Sequence, residues 1–268
     1  MSEGSATLEE PSDGSRTQTV EVINPDGAGA ILLVCEHASN AIPAEFGDLG
    51  IGAATKASHA AWDPGALAVA RHLSEMFDAP LVAQTVSRLV YDCNRPPDAG
   101  DAIPARSEIH EIPGNTGLSA AARADRVERF YRPFERTLAQ AVARHRATHA
   151  NPVLLTIHSF TPIYAGERRS VEIGILHDSD RRLADAILDA ADGSLDIRRN
   201  EPYGPADGVM HTLAAHAVPH GMANAMIEIR NDLIATPEDV GDIAERLTAW
   251  VSRAHASLTA DAPKGSAL

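Results

Sequence analysis

Three apolar runs of this chain end on side chains able to do chemistry. Ile31-Leu-Leu-Val-Cys35 is followed by Glu36 and His37, and Val153-Leu-Leu-Thr-Ile157 by His158 and Ser159. Glu228 stands near the end of Ala223-Asn-Ala-Met-Ile-Glu-Ile229. Imidazole nitrogen and carboxylate oxygen are ligands for a divalent metal such as zinc, and a further carboxylate can accept a proton from water. Each residue also has an ordinary reading. A histidine in a core is usually hydrogen-bonded to its surroundings, and Glu228 could pair with an arginine such as Arg230, because a buried carboxylate without a partner is costly. With 12 histidines in the chain, one alone says little. Recurrence at three strand ends is what favours a site.

A second group is cationic. Arg88, Asn94 and Arg95 fall within Ser87-Arg-Leu-Val-Tyr-Asp-Cys-Asn-Arg-Pro96. A guanidinium is a planar fork that matches a carboxylate, so these residues suit an anionic substrate. The competing reading pairs the arginines with Asp92 or Asp98 to brace a loop. Asp63, followed by Pro64, reads as a helix N-cap with proline at the first helical position. Tyr203-Gly-Pro-Ala-Asp-Gly-Val-Met-His211 reads as a tight loop leading into a helix. There His211 either hydrogen-bonds substrate or is a plain helix residue. Asp178, just after Val171–Leu176, is a strand-end carboxylate without an assigned role. Ser159 beside His158 raises a serine hydrolase, but no Gly-x-Ser-x-Gly elbow surrounds it.

These side chains need a frame. Ala30–Cys35, Leu81–Val86, Leu89–Cys93, Val153–Ile157, Val171–Leu176 and Ala223–Ile229 read as strands. Ala66–Phe77, Ser119–His149 with a kink near Pro133, Arg181–Ala191, Gly208–Ala217 and Pro237–Ser257 read as helices. Asp98–Gly117 reads as a long loop. The alternation predicts an α/β fold with a mainly parallel sheet and helices on both faces, in which ligands bind beyond the carboxyl ends of the strands. Residues 23–260 are expected to form one domain, between disordered tails at 1–22 and 261–268. The formal charge of −14 argues against nucleic acid or an anionic membrane as the main partner, while leaving room for a local basic pocket. Cys35 and Cys93 make no disulfide framework and read as buried thiols. No signal-peptide pattern and no apolar run of the ~20 residues that cross a bilayer is visible, so a cytoplasmic protein is expected. No pattern speaks to the oligomeric state.

Five segments together resemble the N-formylglutamate amidohydrolase family. They are Cys35-Glu-His-Ala-Ser-Asn40, Trp62-Asp-Pro-Gly-Ala66, the Ser87–Pro96 stretch, Ile157-His-Ser-Phe160 and Ile227-Glu-Ile-Arg-Asn-Asp-Leu233, in that order. The resemblance implies kinship in fold with zinc carboxypeptidases and aspartoacylases. That is a three-layer α/β/α architecture of the zinc-exopeptidase, phosphorylase/hydrolase-like kind, with a mixed, mainly parallel sheet. It implies one zinc held by two histidines and a carboxylate, a separate glutamate as general base, and a small anionic N-acyl amino acid as substrate. Carried over by position, His37 and His158 become the imidazole ligands, Glu228 the base, and Arg88, Asn94 and Arg95 the anion grip. The carboxypeptidase pattern places a Glu three residues after the first histidine, where this chain has Asn40. Asp63 is the preferred replacement and Glu36 the alternative. Two other readings stay open at this point: a non-catalytic small-anion binding protein on the same scaffold, and a zinc peptidase acting on short peptides.

Overall fold

The computed structural model describes residues 18–260. In chain order the elements are β1 (Val20–Ile23), β2 (Ile31–Cys35), α1 (Ala53–Ala57), α2 (Ala66–Met76), β3 (Leu81–Gln84), the hairpin of β4 (Arg106–Ser107) and β5 (His110–Glu111), α3 (Ala120–Arg126) and α4 (Arg132–Thr148). They continue with β6 (Val153–Phe160), the hairpin of β7 (Ile163–Tyr164) and β8 (Glu167–Arg168), β9 (Ile173–Leu176), α5 (Arg182–Ala190), β10 (Ile197–Arg199), α6 (His211–His216), β11 (Ala223–Arg230) and α7 (Pro237–Ala260).

Seven strands form one sheet in the order β1-β3-β2-β6-β11-β9-β10. Strands β3, β2, β6 and β11 run parallel to one another. The sheet is mixed because β1 is antiparallel to β3, and β9 to β11. Side chains alternate between its faces, as the pleat requires. Leu33, Cys35, Leu155, Ile157, Ala225 and Ile227 meet Leu73, Ile187, Leu247 and Trp250 from α2, α5 and α7. Leu32, Val34, Leu154 and Met226 meet Phe134, Leu138 and Leu213 from α4 and α6. The central strands are buried on both faces, and so their sequences read as unbroken apolar runs.

Three expectations change. Val20–Ile23, which straddles the expected end of the tail at residue 22, is an antiparallel edge strand on β3; residues 1–17 and 261–268 lie outside the described residues. Leu89–Cys93 is a buried turn, not a strand. Its backbone groups bond locally, with Val90 N–H donating to the Ser87 carbonyl and Asp92 N–H to that of Ala102, and a short apolar run cannot distinguish such a turn from a strand. The long loop of 98–117 contains the β4–β5 hairpin. The kink expected near Pro133 takes the form of a π-helical stretch, Val127–Tyr131, between α3 and α4. Proline removes an N–H and crowds the preceding turn, and a widened turn accommodates both. No helix among the described residues is long and apolar enough to cross a membrane.

Candidate active site

His37 follows the end of β2, while His158 and Ser159 lie inside β6, which runs on to Phe160. Glu228 in β11 is paired in register with His158. By alternation both share the sheet face of Leu154 and Met226, on the α4 and α6 side. Asp63 arrives from the loop before α2. It does not cap that helix: the N-cap is Gly65, with no side-chain cap bond. Gly65 has φ of 82°, and a Cβ there would sit 2.7 Å from Ile234. That turn lets the chain swing Asp63 into the sheet edge.

The two imidazoles converge on one carboxylate oxygen. His37 Nδ1 is 3.3 Å and His158 Nδ1 is 2.8 Å from Asp63 Oδ2. Behind each ring stands another carboxylate: His37 Nε2 lies 2.7 Å from Asp92 Oδ1, and His158 Nε2 lies 3.0 Å from Glu36 Oε2. Arg88 braces the set, donating from Nη1 to Asp63 Oδ1 at 3.0 Å and from Nη2 to Asp92 Oδ2 at 3.5 Å. Every member of the His37, Asp63 and His158 cluster is buried, with ligand atoms all within 4.8 Å of one another. The cluster can hold a metal ion. The donor chemistry fits one, because an imidazole whose far nitrogen is held by a carboxylate is fixed in orientation and made more basic. Glu36 sits behind His158 and is not part of the converging set, so Asp63 supplies the carboxylate nearest both rings.

The electrostatics follow from this crowding. Burial alone would raise Asp63, but the neighbouring His37, His158 and Arg88 outweigh it and hold its carboxyl far below the usual range. Asp92 and Glu36 are lowered in the same way, against burial, chiefly by His37 and Arg88 for Asp92 and by His158 for Glu36. Burial opposes charge on His158, yet Glu36 and Asp63 push it well above the ordinary value. Glu228 goes the other way. Burial, with Asp63 adding, pushes it up to about 7 against the pull of His158 and Arg88. Glu228 Oε2 is buried with no hydrogen-bond partner among the described residues.

A cavity of about 280 Å³ opens on the cluster, lined by His37, Asp63, Arg88, Asn94, Arg95, His158 and Glu228 among others. The chain matches the N-formylglutamate amidohydrolase family model over residues 29–235, a span containing all of these positions. It belongs to that family. Membership makes it an amidohydrolase, acting on carbon–nitrogen bonds other than peptide bonds. The crystal structure of gene product Atu2144 from Agrobacterium tumefaciens matches with a TM-score of 0.88 and 55% identity, over 90% of this chain and 96% of that one. N-formylglutamate amidohydrolase from Ralstonia eutropha JMP134 matches with a TM-score of 0.64 and 19% identity, over 90% and 98% of the two chains. At that identity the likeness is one of fold. Among curated proteins none matches the chain.

Within this candidate site the cationic group divides. Arg88 is tied to Asp63 and Asp92. The Asn94 amide is engaged on both sides, donating to the Val209 carbonyl at 2.6 Å and accepting from Thr212 N–H at 3.0 Å. Arg95 holds Asp101 through Nε, and the Asn94 and Gly208 carbonyls through Nη1. Its Nη2 makes no hydrogen bond to the described residues. His211 is bonded to the Tyr131 hydroxyl at 2.8 Å and faces a separate depression beside Arg95 and Met210, outside the cavity. Asp178 follows β9, which runs antiparallel to β11, so it emerges exposed at the opposite edge of the sheet. Asp92 was weighed in the sequence only as a partner for arginine, and its contact with His37 across 55 residues was not legible there. Tyr203, Tyr164, His59 and Glu108 also line the cavity. Of these only Tyr203 stood in a segment with site-like character.

Proposed function

We propose that this chain is a zinc-dependent hydrolase of the amide bond in a small N-acyl amino acid of the N-formylglutamate type. His37, Asp63 and His158 hold one zinc ion in this reading, and Glu228 is the general base. The observation that carries it is the pairing of two Nδ1 atoms on Asp63 with a carboxylate behind each ring, beside a buried carboxyl with a free oxygen. A bound zinc ion polarises a carbonyl and makes water acidic near neutral pH. The chain's own residues do the rest. Glu228, raised to about 7, takes the proton of the attacking water at Oε2 and delivers it to the leaving nitrogen. Arg95, with Nη2 uncommitted, reads the substrate's carboxylate, and Arg88 keeps Asp63 and Asp92 ionised and in place. A cavity of about 280 Å³ has room for a single acylated amino acid, which favours that class over a longer peptide.

We further take residues 23–260 as one amidohydrolase domain, begun slightly earlier by β1, because one sheet draws strands from both ends of that span. The buried free thiols Cys35 and Cys93 support placing it in the reducing cytoplasm. The test combines metal analysis of the purified protein with hydrolysis of a panel of N-acyl amino acids, before and after chelation and zinc restoration. Stoichiometric zinc with chelator-sensitive turnover is expected. Full activity in metal-free protein would remove zinc from the reading.

A further inference from the structure

We propose that Tyr203 is a catalytic residue of this site, donating its phenolic hydrogen bond to the substrate's acyl oxygen, and that Arg169 is the residue that positions it. The inference rests on the amidohydrolase reading above and names a group that reading leaves without a task. Tyr203 lines the same cavity as His37, Asp63, Arg88, His158 and Glu228. Arg169 Nη1 donates to its hydroxyl oxygen at 2.9 Å. The same guanidinium stacks 4.8 Å from the Tyr203 ring centroid, 4.4 Å from that of Tyr164 and 5.5 Å from that of Phe160. Three aromatic faces and one hydrogen bond leave the arginine little freedom, and it in turn fixes the phenol.

A tyrosine oxygen that already accepts one hydrogen bond directs its own hydrogen elsewhere. Among the described residues no acceptor takes it. Glu228 Oε2, lining the same cavity, has unused accepting capacity. One cavity thus presents an unused donor and an unused acceptor. An amide undergoing hydrolysis offers the complement: an oxygen that gains negative charge as water adds, and hydrogens on the attacking water and the nitrogen. Tyr203 faces the oxygen and Glu228 faces the hydrogens. No bond to the phenolic hydrogen breaks. The proton of the attacking water goes to Glu228 and then to the leaving nitrogen, while Tyr203 contributes only a hydrogen bond that strengthens as charge develops. Burial, helped by the nearby Glu228, pushes the phenol up to about 12, so it stays a donor throughout the neutral range.

The experiment measures kcat and KM for Tyr203→Phe, Arg169→Met and the double variant on the best N-acyl amino acid substrate. Melting temperature, zinc content and calorimetric binding of the amino-acid product are followed alongside. Tyr203→Phe should lower kcat on the order of 10²-fold, the scale of one lost oxyanion donor, with KM within about threefold of wild type. Product affinity should not move, since the product lacks the acyl oxygen. Arg169→Met should lower kcat alone, but add little in the Tyr203→Phe background, because it acts through the same hydroxyl. Wild-type turnover in Tyr203→Phe, or a loss confined to KM and product affinity, would overturn the role. Additive losses would overturn the part given to Arg169. Should Tyr203→Phe melt far below wild type, Arg169→Met, which leaves the tyrosine in place, carries the kcat test. A wild-type protein inactive on every N-acyl amino acid would instead sink the proposed substrate class, and with it this inference.

Discussion

In the proposed reading, Glu228 and Arg95 are the residues on which substitution separates chemistry from recognition. Glu228→Gln keeps size and hydrogen-bonding shape, so the fold and the content of the proposed zinc should survive. Turnover should fall by a factor on the order of 10²–10⁴, the usual contribution of a positioned acid–base group, with KM little changed. Loss of zinc in that variant would move Glu228 into the ligand set. Arg95→Ala should weaken a carboxylate-bearing substrate by roughly 10- to 100-fold, the scale of a hydrogen bond to a charged group, and a neutral amide far less. Equal losses on both would take carboxylate reading away from Arg95. Asp92 acts one step behind the cluster. Asp92→Asn leaves a side chain beside His37 Nε2 but removes the charge that orients the ring, and zinc affinity should drop about 10- to 100-fold in a competition titration. Unchanged affinity would make Asp92 merely a partner for Arg88.

At the scale of elements, the site depends on where α2 begins. Gly65 holds φ of 82° with Ile234 packed where a Cβ would go. Gly65→Ala should cost on the order of 1–3 kcal/mol in denaturant melts and weaken metal binding as well, because it displaces the turn that carries Asp63. A variant destabilised but with intact metal affinity would uncouple the turn from the site. Strand direction matters equally. The parallel pairing of β6 with β11 sets Glu228 beside His158, whereas the antiparallel β9 carries Asp178 away to the other edge. Both carboxylates look alike in sequence, each near the end of an apolar run. The turn at Leu89–Cys93 and the edge strand Val20–Ile23 likewise depend on partners: the first bonds within its own loop, and the second exists because β3 offers it an open edge.

Across the whole molecule, buried histidines link stability to pH. His216 is held down to about 4, mainly by burial with the nearby His211 adding. The unfolded chain takes up this proton near the ordinary value of about 6.5, while the folded one refuses it until about 4. Stability is therefore whole above about 6.5 and falls as pH drops toward 4, by up to about 3 kcal/mol from this group. His216→Leu should flatten the difference between melts at pH 7 and pH 4 relative to wild type; an unaltered acid limb would exonerate this residue.

What the sequence by itself determined was the inventory and its order. Apolar runs buried on both faces spell out the central strands, and the polar residues at their ends are named by type: two imidazoles, a set of carboxylates and a pair of arginines around Asn94. That was enough for the layered α/β fold and the family. What only the tertiary structure decided was adjacency. His37 meets Asp63 across 26 residues, Asp92 across 55, and Asp63 meets His158 across 95. It also decided that Asp63 and not Glu36 faces both rings, that His211 turns to Tyr131, and that Arg169 holds Tyr203. The reason is physical. Periodicity records which face of an element is apolar, a local property of a few residues, whereas the order and direction in which strands pair follow from how all those faces are buried at once.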